Sequence, residues 1–387
     1  MIPPISRRLS ALPPYPFAEI DRKKKQAIAE GKQIISLGVG DPDLPTPPHI
    51  IEAAQKAISN PAHHQYPFGA GRAEFRNAVA SWYQSRFAVA LDAQKEIHAL
   101  VGSKEGIGHF HFAYINPGDV VLIPSPGYPV YNTSTIFTDG TPHFLPLKKE
   151  NNFLPDLDSI PTAIAQKSKI LFLNSPNNPT SAVMDASFFK KAIAFAKKYN
   201  CIIAHDAAYS EIYYDAPPIS FLSVEGAKDV GVEFHSCSKT YNMTGWRIGW
   251  VCGNAEVVSS IGKVKDNFDS GVFEAIQMAA VAALTSSQDC VTQMRKIYKE
   301  RRDILVEGLK NLGWKVNLPQ ASFYVWAENP AGYTSSKVVE KLIETASLVI
   351  TPGTAFGPSG EGYVRFTLTL PKEKIQTALE RLSKVKW

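Results

Sequence analysis

The chain has little cysteine. There are four in 387 residues, Cys201, Cys237, Cys252 and Cys290, and none forms a C-x-x-C pair. Cys201, Cys237 and Cys252 lie in or beside apolar, strand-like runs, so buried free thiols in a reducing cytoplasm are expected. Long hydrophobic runs are also missing: nothing approaches the roughly eighteen apolar residues that a membrane span needs. The N-terminus carries Pro3, Pro4, Pro13, Pro14 and Pro16, which is no apolar signal core. Charge of one sign is scarce, because 41 basic residues meet 36 acidic ones for a net +5. That is a weak footprint for nucleic acid and suits an enzyme of anionic substrates equally well. A dinucleotide fingerprint is absent too, since Gly38-Val39-Gly40 lacks both the third glycine at its spacing and a following helix. No metal site is expected: His109 and His111 are two residues apart on a predicted helix and face different ways, and His63 and His64 lack other ligands at metal spacing.

What is present is a long, ordinary globular composition, 44% apolar, too large for one compact core. Apolar strand-like runs alternate with helical periodicity, which predicts a mainly parallel sheet with helices on both faces. A Pro-rich arm covers residues 1–17. A helix is expected from about Ala18 to Ala29, a strand over 34–39 running into the turn at Gly40, and one long charged helix from about Thr285 to Leu312. The last part of the chain reads as a smaller α/β unit.

The informative stretch is Ser236-Cys237-Ser238-Lys239-Thr240-Tyr241, followed by Gly245-Trp246-Arg247. A lone lysine in a loop is usually a solvated one. Here Ser236, Ser238 and Arg247 surround it with donors suited to phosphate, and Gly245 and Gly249 allow close backbone approach. An amine beside a phosphate cradle is what a pyridoxal 5′-phosphate lysine requires. Asp206 closes the strand Cys201–His205, and acids at the carboxyl ends of strands in open α/β sheets sit where ligands bind. A helix cap is the plainer role for it. Lys239 follows 33 residues later, one βαβ spacing away. Gly102-Ser103-Lys104 opens a helix, with Ser103 as the expected N-cap, and a helix N-terminus is a natural phosphate site.

These motifs, in this order, resemble the fold-type I aminotransferases of class I and II, and the resemblance covers nearly the whole chain. It implies a large domain with a mainly parallel seven-stranded sheet, over 41–285, and a smaller α/β domain over 286–387 joined by part of the arm 1–40. It implies pyridoxal 5′-phosphate, with Lys239 as the catalytic lysine. Gly102, Ser103, Lys104, Ser236, Ser238 and Arg247 would hold its phosphate, helped across a homodimer interface by Tyr66. Tyr128 would stack on the ring, Asp206 would pair with the ring nitrogen, and Asn178 and Tyr209 would bond its phenolic oxygen. Arg365 would clamp the substrate carboxylate, with Tyr15, Gly40, Lys104, Tyr128, Asn178 and Ser270 also in the substrate pocket.

Several local patterns are most similar to LL-diaminopimelate aminotransferases: Leu12-Pro13-Pro14-Tyr15, Leu37-Gly38-Val39-Gly40-Asp41, Gly102-Ser103-Lys104-Glu105-Gly106, His205-Asp206-Ala207-Ala208-Tyr209 and Asn267-Phe268-Asp269-Ser270-Gly271. The stretch 266–273 has no arginine, unlike aspartate aminotransferases of the related subgroup. Two departures are visible: Ser181 replaces the glycine of the Asn-Pro-Thr-Gly turn, and Thr240 follows the lysine where proline is common. Bacterial alanine aminotransferases share several of the same patterns, and a carbon–sulfur lyase would use the same Lys239, Asp206 and Arg365. Both alternatives stay open here. A regulator carrying this fold is disfavoured, because about 40 Pro-rich N-terminal residues are too few for a helix-turn-helix unit.

Overall fold

The structure, a computed structural model, describes residues 2–13 and 16–387, and leaves the side chains of 16–20 undescribed. A short strand, β1 (Ile35–Ser36), precedes the central sheet. That sheet holds β2 (Ile97–Leu100), β3 (Val120–Ser125), β4 (Thr141–Pro146), β5 (Ser168–Asn174), β6 (Ile202–Asp206), β7 (Gly231–Ser236) and β8 (Gly249–Gly253). Later come β9 (Tyr324–Glu328), β10 (Leu348–Val349), β11 (Thr351–Pro352) and β12 (Tyr363–Thr367). The spatial order is β2-β8-β7-β6-β5-β3-β4, and β8 runs antiparallel to both its neighbours while the other pairings are parallel. Its mainly parallel character is what the alternation of patterns predicts, and its seven strands are what the resemblance implies.

Alternate residues of one strand feed two cores, as the pleat requires. On β5, Ile170 and Phe172 join Ile107, Phe110 and Val258 on one face. Leu171 and Leu173 join Val79, Trp82 and Phe189 on the other. A strand apolar on both sides reads as a continuous run, which explains Ile170-Leu171-Phe172-Leu173.

The C-terminal part is built on the antiparallel sheet β11-β12-β9. The N-terminal segment joins it, because β1 pairs in parallel with β10. Three sequence expectations change in detail. The helix expected from 18 begins earlier, Pro16–Ala29. The long helix expected over 285–312 is present as Asp289–Asn311 and starts four residues later, after Gln288 turns its side chain back to Ala283 O and Tyr241 at the end of the preceding helix, Glu274–Thr285. The strand expected over 34–39 stops at Ser36. From Gly38 on, side chains rather than a ladder take the carbonyls: Thr351 and Arg365 donate to Gly38 O, Thr369 to Val39 O and Lys239 to Gly40 O. All four cysteines are free thiols; Cys290 is only partly buried, and the other three are buried. No helix among the described residues is long and apolar enough to cross a membrane.

The sheet carries one buried acid away from the cleft. Glu233 on β7 accepts from Tyr83 Oη at 2.7 Å, His205 Nδ1 at 2.9 Å, Phe221 N at 3.0 Å and Ser220 Oγ. Burial pushes its carboxyl up, but the hydrogen bond and charge of His205 outweigh that and leave it below the ordinary 4.5. Its stabilising contribution is therefore complete above about pH 4.5 and lost as pH falls through the lower, folded value. Glu233→Ala strands these donors and should cost roughly 3 kcal/mol at pH 7, read as a lower urea midpoint. The gap to the unsubstituted protein should close only below about pH 4.5. An unchanged midpoint at pH 7 would refute the role given to this network.

Candidate active site

A cleft of about 370 Å³ opens at the carboxyl ends of β5, β6 and β7. That edge is where ligands bind in open α/β sheets. Tyr324 of β9 and Arg365 of β12 line it from the C-terminal sheet.

One wall is a set of anion donors. The helix Ser103–Tyr114 begins at Gly102, which is the N-cap in place of the expected Ser103, and Ser103 is the first helical residue. Gly102 has φ +75°, and a Cβ there would lie 2.6 Å from Arg247 Nη2. Glycine is therefore required for the arginine to lie against this turn. The first N–H groups of the helix have no intrahelical acceptor. Arg247 is exposed, sits at φ +57° and is held by Thr244 O at 2.9 Å and Val101 O at 3.3 Å. A left-handed non-glycine residue carries backbone strain, and such residues cluster at functional sites. Ser236 Oγ accepts from Ser238 N at 3.1 Å, capping the single helical turn Cys237–Thr240 that carries Lys239.

Lys239 Nζ donates to Gly40 O at 2.9 Å. Burial first, opposed by Asp41 and helped by the cations of Arg365 and Arg247, pulls its amine down to about 8. Opposite stands Asp206, buried at the end of β6. It accepts from Tyr131 Oη at 2.8 Å and from Ala208 N at 3.2 Å. Burial pushes its carboxyl above the ordinary range, against the pull of those hydrogen bonds and of His205. Asn174, at the end of β5, donates to Asp206 O and accepts from Asn178 N, both at 2.8 Å.

Arg365 is buried, with Nη1 on Asn178 Oδ1 at 2.7 Å and Nη2 on Gly38 O at 2.6 Å. Its guanidinium lies 4.1 Å from the Tyr324 ring centre and 4.6 Å from that of Phe356. Its Nε is buried without a hydrogen-bond partner. Tyr209 and Tyr324 share a hydrogen bond at 2.8 Å between hydroxyls. Ser181, the departure from the glycine turn, sits at φ +63° and uses its hydroxyl on Ser322 Oγ and Tyr324 O.

Of the residues singled out from sequence, Gly40, Gly102, Ser103, Lys104, Tyr128, Asn178, Asp206, Tyr209, Ser236, Ser238, Lys239, Arg247 and Arg365 all line this one cleft. Tyr66 and Ser270 do not. Tyr66 is 75% exposed and stacks on Phe68. Its loop abuts the Ser270 turn, since a Cβ on Gly271 would lie 2.0 Å from Pro67 O. Tyr15 lies outside the described residues. Sequence reasoning missed Asn174, Tyr131 and Tyr324. Asn174 ends a buried strand just as Asp206 does, and that signal could have found it.

The chain belongs to the aminotransferase class I and II family, whose description matches residues 32–382. It is 54% identical over 383 residues to the LL-diaminopimelate aminotransferase of Aquifex aeolicus, covering 98% of this chain and 99% of that protein. The protein of the same name from Syntrophobacter fumaroxidans is 52% identical over 381 residues, 98% of each chain. Among solved structures, substrate-bound BacF from Bacillus subtilis superposes with a TM-score of 0.95 at 39% identity, covering 99% of this chain and 98% of that one.

Lys239 has a depressed pKa, so the folded chain is penalised for its charge at pH values below about 8 and carries no penalty above the ordinary 10.5. Lys239→Met should stabilise the unliganded chain by about 2 kcal/mol at pH 7, allowing for the lost bond to Gly40 and partial exposure. The gain should fade as pH rises from about 8 towards 10.5. Denaturant melts across that range test it, and a gain that does not change with pH would refute it.

Proposed function

We propose that this aminotransferase uses pyridoxal 5′-phosphate and moves an amino group from LL-2,6-diaminopimelate to 2-oxoglutarate, giving tetrahydrodipicolinate and glutamate. The observation that carries the reading is the convergence of Lys239, Asp206 and Arg365 on one cleft. They come from chain positions more than a hundred residues apart at the extremes.

The donor set suits the cofactor. Backbone N–H groups of Gly102, Ser103 and Lys104, the hydroxyls of Ser236 and Ser238, and Arg247 form a cradle for a phosphate dianion. Asp206 is a buried acid with no cation bonded to it, and supplies the acceptor that a protonated ring nitrogen needs. When bound, the cofactor supplies an aldehyde that holds an amine and a cationic ring that draws electrons from the substrate Cα.

The chain's own groups do the rest. Lys239 Nζ, half neutral near pH 8, would take the Cα proton and deliver it again. Arg365 binds the substrate α-carboxylate with a planar fork, and its unpartnered Nε adds a donor there. Asn178 keeps its side-chain oxygen on Arg365, so its amide NH₂ is the donor for the phenolic oxygen, beside Tyr209. Tyr128, on the cleft wall, would cover the ring. Lys104, exposed on the cleft wall, supplies a cation for the distal carboxylate. The names of the relatives support diaminopimelate as the donor.

The working unit in this reading is a homodimer in the cytoplasm. Tyr66, Phe68, Phe268 and Phe273 are exposed aromatics around the Ser270 turn, an apolar surface of the kind that marks an interface. The chain divides into a large domain over 41–285 and a small one over 286–387 with the arm 1–40, a division supported by the pairing of β1 with β10.

Purified protein should turn over LL-diaminopimelate with 2-oxoglutarate faster than alanine, aspartate or glutamate with either 2-oxoglutarate or pyruvate. Preference for alanine would overturn the substrate, and pyruvate plus ammonia formed without an acceptor would overturn the reaction. Lys239→Ala should abolish the visible absorption band and lower turnover by about 10³-fold or more. Turnover with the band intact would remove Lys239 from its role.

A further inference from the structure

Behind the phosphate-cradle turn lies a buried charge cluster outside the cleft. Lys265, near the end of the helix Ala255–Phe268, has a side chain only 1% exposed. Its Nζ donates to both oxygens of Asp269 at 2.9 Å and to Glu105 Oε2 at 3.3 Å. His109 Nδ1 contacts the other Glu105 oxygen. Glu105, His109 and Asp269 bring ligand atoms within 4.8 Å of one another, as a metal site would. The lysine ammonium already bonds both carboxylates, so the cluster contains its own cation. Burial pushes the Glu105 carboxyl up, while His109 and Lys265 more than offset that and keep it ionised.

Each end of this cluster holds a turn. Glu105 Oε2 accepts Val101 N at 2.8 Å, and the carbonyl of the same Val101 accepts from Arg247. Val101, just before Gly102, is thus gripped at both its N–H and its C=O. At the other end, Asp269 Oδ1 accepts Gly271 N at 3.0 Å, and Lys265 O accepts Asp269 N and Ser270 N. A buried charge that keeps two carboxylates in fixed places fixes whatever those carboxylates hold.

We propose that Lys265 is a positioning residue: through Glu105 it sets the Val101–Ser103 turn for the cofactor phosphate, and through Asp269 it ties that turn to the Ser270–Gly271 loop. The proposal rests on the pyridoxal-phosphate reading above, and it predicts an effect specific to the phosphate end of the ligand.

The test compares binding of pyridoxal 5′-phosphate and of pyridoxal, which lacks the phosphate, to the full chain and to Lys265→Met, followed by absorbance and fluorescence. Lys265→Met should bind pyridoxal 5′-phosphate about tenfold more weakly and pyridoxal equally well. Equal losses for both ligands, or no loss for either, overturn the role. If Lys265→Met does not fold, Asp269→Asn takes its place, with a smaller but equally selective loss expected and an unselective one overturning the role. The two readings fail differently. An unsubstituted chain that binds neither ligand removes the cofactor reading and this inference with it, whereas normal binding there with unselective losses in the variants removes this inference alone.

Discussion

The parallel register of β5, β6 and β7 is the constraint on which the cleft depends. Asn174 lies opposite Asp206, and Asp206 opposite Phe234, two residues before Ser236 and five before Lys239. These pairings bring a carboxamide, a carboxylate and the lysine turn to one edge of the sheet. Strand side chains alternate, so a slip of one residue on β6 would exchange Asp206 with His205. His205 faces the other way, into the Glu233 network. That network therefore does more than fill the core. It satisfies the polar residue that must stand beside Asp206 on the opposite face, and so fixes which face Asp206 presents.

Electrostatics then sets the protonation of each group. A buried carboxylate, a buried guanidinium and a partly buried amine share one small volume, and none is in a bidentate ion pair with another. Asp206 is satisfied by hydroxyl and amide donors, and Arg365 by a carboxamide and a carbonyl. Neutral partners leave the charges uncompensated. Burial consequently pushes the acid up and pulls the amine down. Lys239 is therefore half neutral near pH 8, where a surface lysine is fully charged.

How far the site was legible in the sequence varied with the kind of residue. Lys239 and Asp206 were legible because each ends a recognisable strand and has chemistry unusual for its place. Arg365 was an ordinary strand arginine until the resemblance gave it a role. Tyr131 and Tyr324 gave no signal, because a buried tyrosine reads as core and nothing local says where its hydroxyl points. The helix start at Gly102 was misread as a Ser103 cap, since cap preference is local while the true determinant is Arg247, 145 residues away. The start of the long helix at Asp289 rather than Thr285 was invisible for the same reason. Ser286, Ser287 and Gln288 do not forbid a helix, and Gln288 stays outside it for partners that only the fold supplies.

The segment 38–40 shows how the two parts of the molecule share the site. It pairs with no strand, and its three successive carbonyls serve side chains from β11, β12, the Thr369 loop and the lysine turn. Gly40 must lack a Cβ, because one would lie 2.1 Å from Tyr324 Oη. Tyr324 in turn stacks under Arg365 and bonds Tyr209. Arg365 and Lys239 are thus fastened to carbonyls of one short stretch, two residues apart. A shift of the C-terminal sheet that moved Arg365 would pull on Gly38, and through Gly40 on the hydrogen bond that holds Lys239, because one covalent backbone joins the two carbonyls.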